Sequence, residues 1–220
     1  MPVISCKWVF LVKPGSGGRP ERFKARLVAR GFTQQFGVDY EDTFAPVIRF
    51  DSLRILLALA ARFGWHIHMM DAQKAYLNSK LDKVIYMEAP EGTEHQPDQV
   101  CELLKSIYRL KQSANLCNKK ITKTLRSIGS EPTKADASVF IHPRGTIIAL
   151  YVDDMIIMGK ELREVERIKD EVKKAHTMTD LRSISKILGI HVTTQTAGIK
   201  IDQHHYIQQV LVEFSMENAK

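Results

Sequence analysis

Ile147-Ile148-Ala149-Leu150-Tyr151-Val152-Asp153-Asp154-Met155-Ile156-Ile157-Met158-Gly159 is the stretch on which the reading of this 220-residue chain turns. Two carboxylates interrupt an otherwise apolar run. Short apolar runs on either side of a polar pair read as two buried strands joined by a tight turn, which places both carboxylates at a hairpin tip. Asp is good turn chemistry because it can bond its own backbone. Two-residue hairpin turns nevertheless favour Gly or Asn beside it, and this turn has neither. Asp71 supplies a third acid. It closes the run Trp65 to Met70, whose alternation of Trp65, Ile67 and Met69 against His66, His68 and Met70 predicts a strand. Carboxylates at a strand end facing a hairpin tip form a hard-oxygen set. Magnesium prefers one or two carboxylates plus substrate phosphates to an all-protein cage. Two such ions clamp the attacking and leaving oxygens of a phosphoryl displacement.

The bulk numbers allow a globular protein of one domain or two small subdomains, with 44% hydrophobic and 26% charged residues. The net charge of +7 is concentrated at one end, where Met1 to Arg30 holds Lys7, Lys13, Arg19, Arg22, Lys24, Arg26 and Arg30 against Glu21. A dense basic segment without an amphipathic basic helix points to a polyanion partner and not to a membrane surface. Cys6, Cys101 and Cys117 are odd in number and lack paired ligand spacing, which predicts free thiols in a reducing compartment. The longest apolar run, Ile55 to Ala61, falls far short of the ~18 residues a membrane span needs, and no apolar signal stretch opens the chain. The expectation is an intracellular, soluble protein. His66, His68, His204 and His205 have no Cys or carboxylate partner at ligand spacing, so zinc is not expected.

Along the chain, Cys6 to Lys13 and Arg22 to Arg30 predict a basic hairpin around the turn Pro14-Gly15-Ser16-Gly17-Gly18. Asp51 or Ser52 is positioned to cap a helix with Leu53, Leu56, Leu57 and Ala60 on one face, ending near Gly64. A short helical stretch to about Leu81 follows the Asp71 strand. Glu88 to Gln99 is a loop by composition, and Val100 to Ile128 carries helical spacing through Leu103, Ile107, Leu110, Ile121 and Leu125. Glu161 to His176 is the clearest helix, its acids early and its Lys173 and Lys174 late, matching the helix dipole. Ile187 to Val192 and Gly198 to Asp202 suggest a second hairpin, and His205 to Phe214 a last helix. The order describes an α+β fold, an antiparallel sheet with helices packed on one face.

The chain resembles the reverse transcriptase domain of copia-type (Pseudoviridae-like) LTR retrotransposon Pol polyproteins. The likeness is carried by Lys7-Trp8-Val9-Phe10, by Lys24 to Phe32 (Lys-Ala-Arg-Leu-Val-Ala-Arg-Gly-Phe), and by Asp39 to Val47 (Asp-Tyr-Glu-Asp-Thr-Phe-Ala-Pro-Val). Met70-Asp71, Ala75-Tyr76-Leu77-Asn78, Leu110-Lys111-Gln112, the Tyr151-Val152-Asp153-Asp154 box and Leu188-Gly189-Ile190 follow in family order. Each is weak alone, and the ordered set is specific.

The resemblance implies the palm and fingers of a right-hand polymerase over residues 1–220. Residues 1–64 would be fingers-like, 65–180 palm, and 181–220 the end of the palm and start of a connection or thumb, with no RNase H, integrase or protease. It implies an RNA-directed DNA polymerase with Asp71 and Asp153 as the main metal ligands and Asp154 in support, using two Mg2+ ions with Mn2+ as a substitute. Lys24 and Arg26 would contact the triphosphate, Tyr76 would crowd the sugar 2′ position, Gln112 would pack near the incoming nucleotide, and Tyr151, beside the acids, would also bind substrate. Implied partners are a primed RNA or DNA template, deoxynucleoside triphosphates and the rest of a Pol polyprotein. Implied locations are cytoplasmic virus-like particles and the nucleus. The chain departs from the family pattern at Arg109, Ser79 and Arg182, each where Gly is usual, and at Ala72-Gln73-Lys74, Asn115 and Cys117. Three lost glycines suit a second expectation, a catalytically inactive transposon relic that at most binds nucleic acid. A third, an unrelated metal-dependent phosphatase, would make the basic hairpin and the ordered motifs a coincidence.

Overall fold

A computed structural model describes residues 2–14, 20–195 and 198–217, so most of the expected turn at Pro14 to Gly18 lies outside the described residues. The chain opens with β1 (Val3–Ile4), β2 (Cys6–Pro14) and β3 (Pro20–Ala29), then a 3-10 turn at Gly31–Thr33 and helix α1 (Phe50–Phe63). Next come β4 (His66–Ala72), a 3-10 turn at Ala75–Asn78, β5 (Tyr86–Glu88), β6 (Val100–Glu102) and α2 (Ser113–Ser127). β7 (Glu131–Pro132), β8 (Val139–Ile141), β9 (Ile147–Tyr151), β10 (Asp154–Gly159), α3 (Leu162–Ala175) and β11 (Met178–Ser183) follow. β12 (Lys186–Ile187), β13 (Ile190–Gln195), β14 (Gly198–Asp202) and α4 (His204–Glu213) are the remaining elements.

These elements form two compact units, and the division is discontinuous. The first unit takes residues 1–46 and 74–123, the second 47–73 and 124–220. The expected linear boundaries at 64 and 180 do not coincide with it, because α1 packs with β4 and the Asp153-Asp154 hairpin, and the segment from Lys74 packs with β3.

The first unit contains the β2–β3 hairpin and a small sheet in the order β1-β5-β6. Its core is Ile4, Ala29, Ile85, Met87 and Leu110. Cross-strand partners Val9↔Arg26 and Leu11↔Lys24 share one face of the hairpin, since side chains alternate along a strand. The other face carries Trp8 and Phe10, whose rings stack at 6.4 Å.

The second unit is built on a six-stranded sheet in the order β11-β4-β10-β9-β8-β7, antiparallel at every pairing. On one face Ile67 pairs with Met158 and Met69 with Ile156, and both pairs belong to one core with Leu53, Leu56, Leu57 and Ala60 of α1. The spacing of those four puts them on one stripe of the helix. The opposite face carries His68 and Ile157, also cross-strand partners, and is covered by α3. The antiparallel α+β sheet is as expected, and the helices cover both of its faces instead of one.

Local chemistry explains where other elements begin and end. α1 is not capped by Asp51 or Ser52. Asp136 Oδ2 accepts the Arg49 N–H at 3.0 Å instead, a partner brought from a distant loop. Gly64 ends the helix in the left-handed conformation at φ 64°. The expected helical stretch from Val100 shrinks to α2, because residues 105–112 are drawn into irregular structure by side-chain hydrogen bonds described below. No residue of α4 is buried, and Tyr206, Ile207, Val212 and Phe214 are exposed. No described helix is long and apolar enough to cross a membrane.

Candidate active site

Alternation along three adjacent strands of the second unit builds the acidic site. Ile67, Met69 and Asp71 share one face of β4; Met158, Ile156 and Asp154 are their partners on β10; Ile147, Ala149 and Tyr151 continue the rows on β9. Each row is apolar where α1 covers it and turns polar at the same end. Asp71 and Asp154 are therefore directly opposite across the β4–β10 pairing, while Asp153 sits in the two-residue turn between β9 and β10. Its carbonyl accepts the Ala72 N–H at 2.8 Å, fastening the turn to the end of β4. Thr179 flanks Asp71 on the β11 side and accepts a 2.8 Å hydrogen bond from Gln73 Nε2.

Like charges directly opposite in a sheet destabilise it. Burial first, then the charges of Asp71 and Asp153, push the Asp154 carboxyl up to about 6. The turn itself is strained: Val152 has φ 53°, the left-handed region in which a β-branched residue is a true outlier. Strain and repulsion converge on one hairpin tip, a pattern typical of functional sites. The donor set is all oxygen and short of positive charge, which fits a hard divalent cation. Among the described residues no three His, Cys, Asp or Glu side chains are gathered as a ready cage for an ion. A site of this kind needs ligand atoms from a substrate.

The first unit gathers the expected phosphate-contacting residues around an aromatic pair. Lys24 and Arg26 line a cavity of about 310 Å³ with Lys74, Ile107 and Tyr108. The Arg26 guanidinium lies 5.4 Å from the Tyr108 ring centroid, and Tyr76 meets the same ring edge-on at 5.2 Å. Tyr108 and Lys74 were not singled out by sequence; Tyr108 had no periodicity to mark it, and Lys74 stands in a left-handed turn at φ 51° that only a backbone description reveals.

Gln112 has a different setting. It is 1% exposed, its Oε1 accepts from Gln34 Nε2 at 3.1 Å and its Nε2 donates to the Asp39 carbonyl at 2.9 Å. Gln34 Oε1 in turn accepts the Lys111 N–H at 2.7 Å. This buried amide pair ties the 110–113 segment to the loop after β3, so Gln112 organises the chain around it through its own enclosed hydrogen bonds. Arg109, just before it, has φ 70°, and Arg182 has φ 59°. Two of the three positions where the family usually has Gly therefore adopt the backbone that favours Gly. Ser79, at φ −98°, does not.

Sequence reading missed one polar hub. Lys169 on α3 is 1% exposed, and its Nζ donates to His68 Nδ1 at 3.0 Å, Glu166 Oε2 at 2.9 Å and Asp180 Oδ2 at 2.8 Å. An ammonium only donates, so His68 accepts through Nδ1 and is neutral. Burial and the Lys169 charge both lower its pKa. The 3.3 Å approach of Glu166 to that nitrogen is then no ion pair. Burial opposes ionisation of Asp180, yet hydrogen bonds from Lys169, the Arg182 N–H and Lys173 hold it down to about 2. The only hint in the sequence was a lysine beside Ile168 on the apolar stripe of α3.

The whole chain, residues 1–220, matches the model of the family described as reverse transcriptase (RNA-dependent DNA polymerase). It is 36% identical to the retrovirus-related Pol polyprotein from transposon TNT 1-94 of Nicotiana tabacum, over 99% of this chain and 17% of that one. It is 34% identical to the corresponding polyprotein from transposon RE1 of Arabidopsis thaliana, over 99% of this chain and 15% of that one. A putative transposon Ty5-1 protein of Saccharomyces cerevisiae is 33% identical over 69% of this chain and 51% of its own length. The chain thus spans about a sixth of the two plant polyproteins it matches. Its strand-end carboxylates, its ordered motifs and these matches agree: the chain belongs to the reverse transcriptase (RNA-dependent DNA polymerase) family, of the copia type found in LTR retrotransposons.

Proposed function

We propose that this chain is the polymerase core of an RNA-directed DNA polymerase, extending a primer by nucleotidyl transfer from deoxynucleoside triphosphates on an RNA or DNA template. The observation that carries the reading is the cross-strand pair Asp71–Asp154 beside Asp153, with Asp154 pushed up to about 6 by burial and by the two neighbouring acids. Evolution does not keep such a repulsive cluster for stability. The reverse transcriptase family generally uses divalent metals, and here Asp71 and Asp153, supported by Asp154, would hold two Mg2+ ions, with Mn2+ as a substitute. Those ions, when bound, supply charge for the attacking hydroxyl and for the departing pyrophosphate. In the reaction the primer 3′-oxygen forms a bond to the α-phosphorus, and the bond to the bridging oxygen of pyrophosphate breaks.

The remaining work belongs to side chains of the first unit. Lys24 offers a point charge and Arg26 a planar fork to triphosphate oxygens. Stacking of Arg26 on Tyr108 orients that fork, and the Tyr76–Tyr108 edge contact makes a rigid aromatic wall suited to crowding a sugar 2′-hydroxyl. The partners are then a primed template, deoxynucleotides and the remainder of a Pol polyprotein, in cytoplasmic particles with later delivery to the nucleus.

Primer extension by the purified chain on primed RNA with magnesium or manganese, beside its Asp153→Asn variant, tests this. Synthesis by the parent and loss of at least a hundredfold in the variant is expected; equal synthesis by both would sink the assignment. One observation favours a second reading, an inactive relic that only binds nucleic acid: Arg109 and Arg182 occupy left-handed backbone. A folded parent without synthesis is its signature; a gain of synthesis on Arg109→Gly then traces the loss to the missing glycine, and no gain traces it to deeper damage.

A further inference from the structure

We propose that Lys169 is a positioning residue for Asp71: from the α3 side of the sheet it ties β4 at His68 to β11 at Asp180, and so fixes the register that keeps Asp180 out of the acidic row. The role given to Asp71 is that of the polymerase reading; the tie made by Lys169 is a matter of geometry alone. β11 lies at the edge of the six-stranded sheet and pairs in it with β4. Their ladder is broken. Met178, Thr179 and Asp180 face Ala72, Asp71 and Met70; the register then shifts by one, and Arg182 and Ser183 face Met69 and His68. Leu181 is the extra residue of a β-bulge. Continued without the bulge, the register of Ser183 and Arg182 would set Leu181 against Met70 and Asp180 against Asp71. Asp71 would then stand between two carboxylates, Asp154 on β10 and Asp180 on β11. Like charges in cross-strand positions repel, and a slip of one residue turns each side chain to the other face of the sheet. The place of the bulge therefore decides the charge around Asp71.

Side chains pin that place. Asp180 Oδ1 accepts the Arg182 N–H at 2.9 Å, closing the bulge on itself. Asp180 Oδ2 accepts Lys169 Nζ at 2.8 Å and Lys173 Nζ at 3.1 Å, which draws the carboxylate to the face covered by α3 and away from the face of Asp71. Lys169 Nζ also donates to His68 Nδ1 at 3.0 Å on the same face of β4, so one ammonium holds both strands. Lys173 is partly exposed and its attraction is screened, whereas Lys169 is 1% exposed. A buried ion pair is weak evidence for stability, because desolvation offsets the attraction, and its best-attested use is to specify register. Lys169 lies across the sheet from the acids, and its effect on them runs through β4 and β11.

Lys169→Met, with the pair His68→Leu and His68→Asn, tests this on the full chain. Met and Leu fill space without completing the tie, whereas Asn keeps an acceptor in the place of Nδ1. In Lys169→Met and His68→Leu, hydrogen exchange read by mass spectrometry should quicken about tenfold or more in segments 66–72 and 178–183, while residues 50–63 keep the parent's protection. Primer extension should lose about a hundredfold in kcat, the cost of an ångström-scale misplacement at a reacting centre. The KM for deoxynucleotide should be unchanged, because Lys24 and Arg26 belong to the first unit. His68→Asn should keep the parent's values in every reading. Parental exchange in segments 66–72 and 178–183 of Lys169→Met would overturn the proposal. So would faster exchange spread evenly over the second unit with kcat following the folded fraction, which marks Lys169 as a contributor to stability and nothing more. Should Lys169→Met not fold, equal exchange in His68→Leu and His68→Asn overturns it. A parent that makes no DNA overturns the polymerase reading instead, and the exchange pattern then decides the register tie by itself.

Discussion

Arg109 is held in left-handed backbone at φ 70°. An L side chain in that conformation costs about 1–2 kcal/mol, and Gly returns part of the gain through its greater freedom in the unfolded chain. Arg109→Gly should therefore stabilise the protein by about 1 kcal/mol in urea unfolding. A loss of stability would mean that the guanidinium contributes more than the backbone costs. Asp154 makes a second prediction at this scale. Its folded pKa of about 6 lies above the ordinary value of 3.8, so its proton is favoured by folding. That contribution is complete below about pH 4 and is lost as pH rises through 6. Asp154→Asn should exceed the parent in stability by about 1 kcal/mol at pH 8, after discounting for a half-exposed carboxyl, and the difference should vanish towards pH 4. Paired unfolding curves at the two pH values check it. The three acids were legible because carboxylates inside apolar runs are rare. The cross-strand register that opposes Asp71 to Asp154 was not, since pairing between distant segments leaves no local signal.

Strands β4 and β11 and helix α3 meet at Lys169. Removing one partner of a buried charge leaves the other uncompensated, whereas replacing the charge with an apolar group of similar shape is often tolerated. Asp180→Ala should cost about 2–3 kcal/mol, because Lys169 is enclosed and loses its 2.8 Å partner. Lys169→Met should cost less, because Asp180 keeps Lys173 at 3.1 Å and Glu166 is half exposed. Thermal unfolding of both variants decides the order; the reverse order would show that packing and not charge sets the hub. The sign with pH follows from the depressed Asp180 pKa of about 2: its contribution is present above about pH 4 and lost as pH falls through 2. Helices α1, α3 and α4 were legible from periodicity and charge order. The segment before α2 was not. Leu103, Ile107 and Leu110 have helical spacing, but Lys111 and Gln112 give their hydrogen bonds to Gln34 and Asp39, and Arg109 turns the chain the wrong way for a helix. Propensity loses to tertiary partners there.

Across the molecule, charge and core are divided unequally. The first unit holds sixteen Lys and Arg against ten Asp and Glu, a net +6, and the second sixteen against fifteen, a net +1. The whole of that +6 sits in residues 1–30, seven Lys and Arg against Glu21, and the rest of the first unit is neutral, so the positive charge belongs to the N-terminal segment alone. The core of that unit joins Ile4 and Ala29 to Ile85, Met87 and Leu110. A fragment ending at Gly64 carries only the first two, and it should show no cooperative unfolding by circular dichroism; a sharp transition would mean that the hairpin segment folds alone. The chain moves between units after Pro46, Gln73 and Lys123. In genetic terms, no single crossover between two diverged copies leaves both units with one parent. Even a join after residue 123, which spares the first unit, pairs the Asp71 strand of one parent with the Asp153-Asp154 hairpin of the other. Viable recombinants between distant relatives should therefore show breakpoints crowded towards the ends of this region, and internal exchanges should survive only as three matched crossovers, after residues 46, 73 and 123.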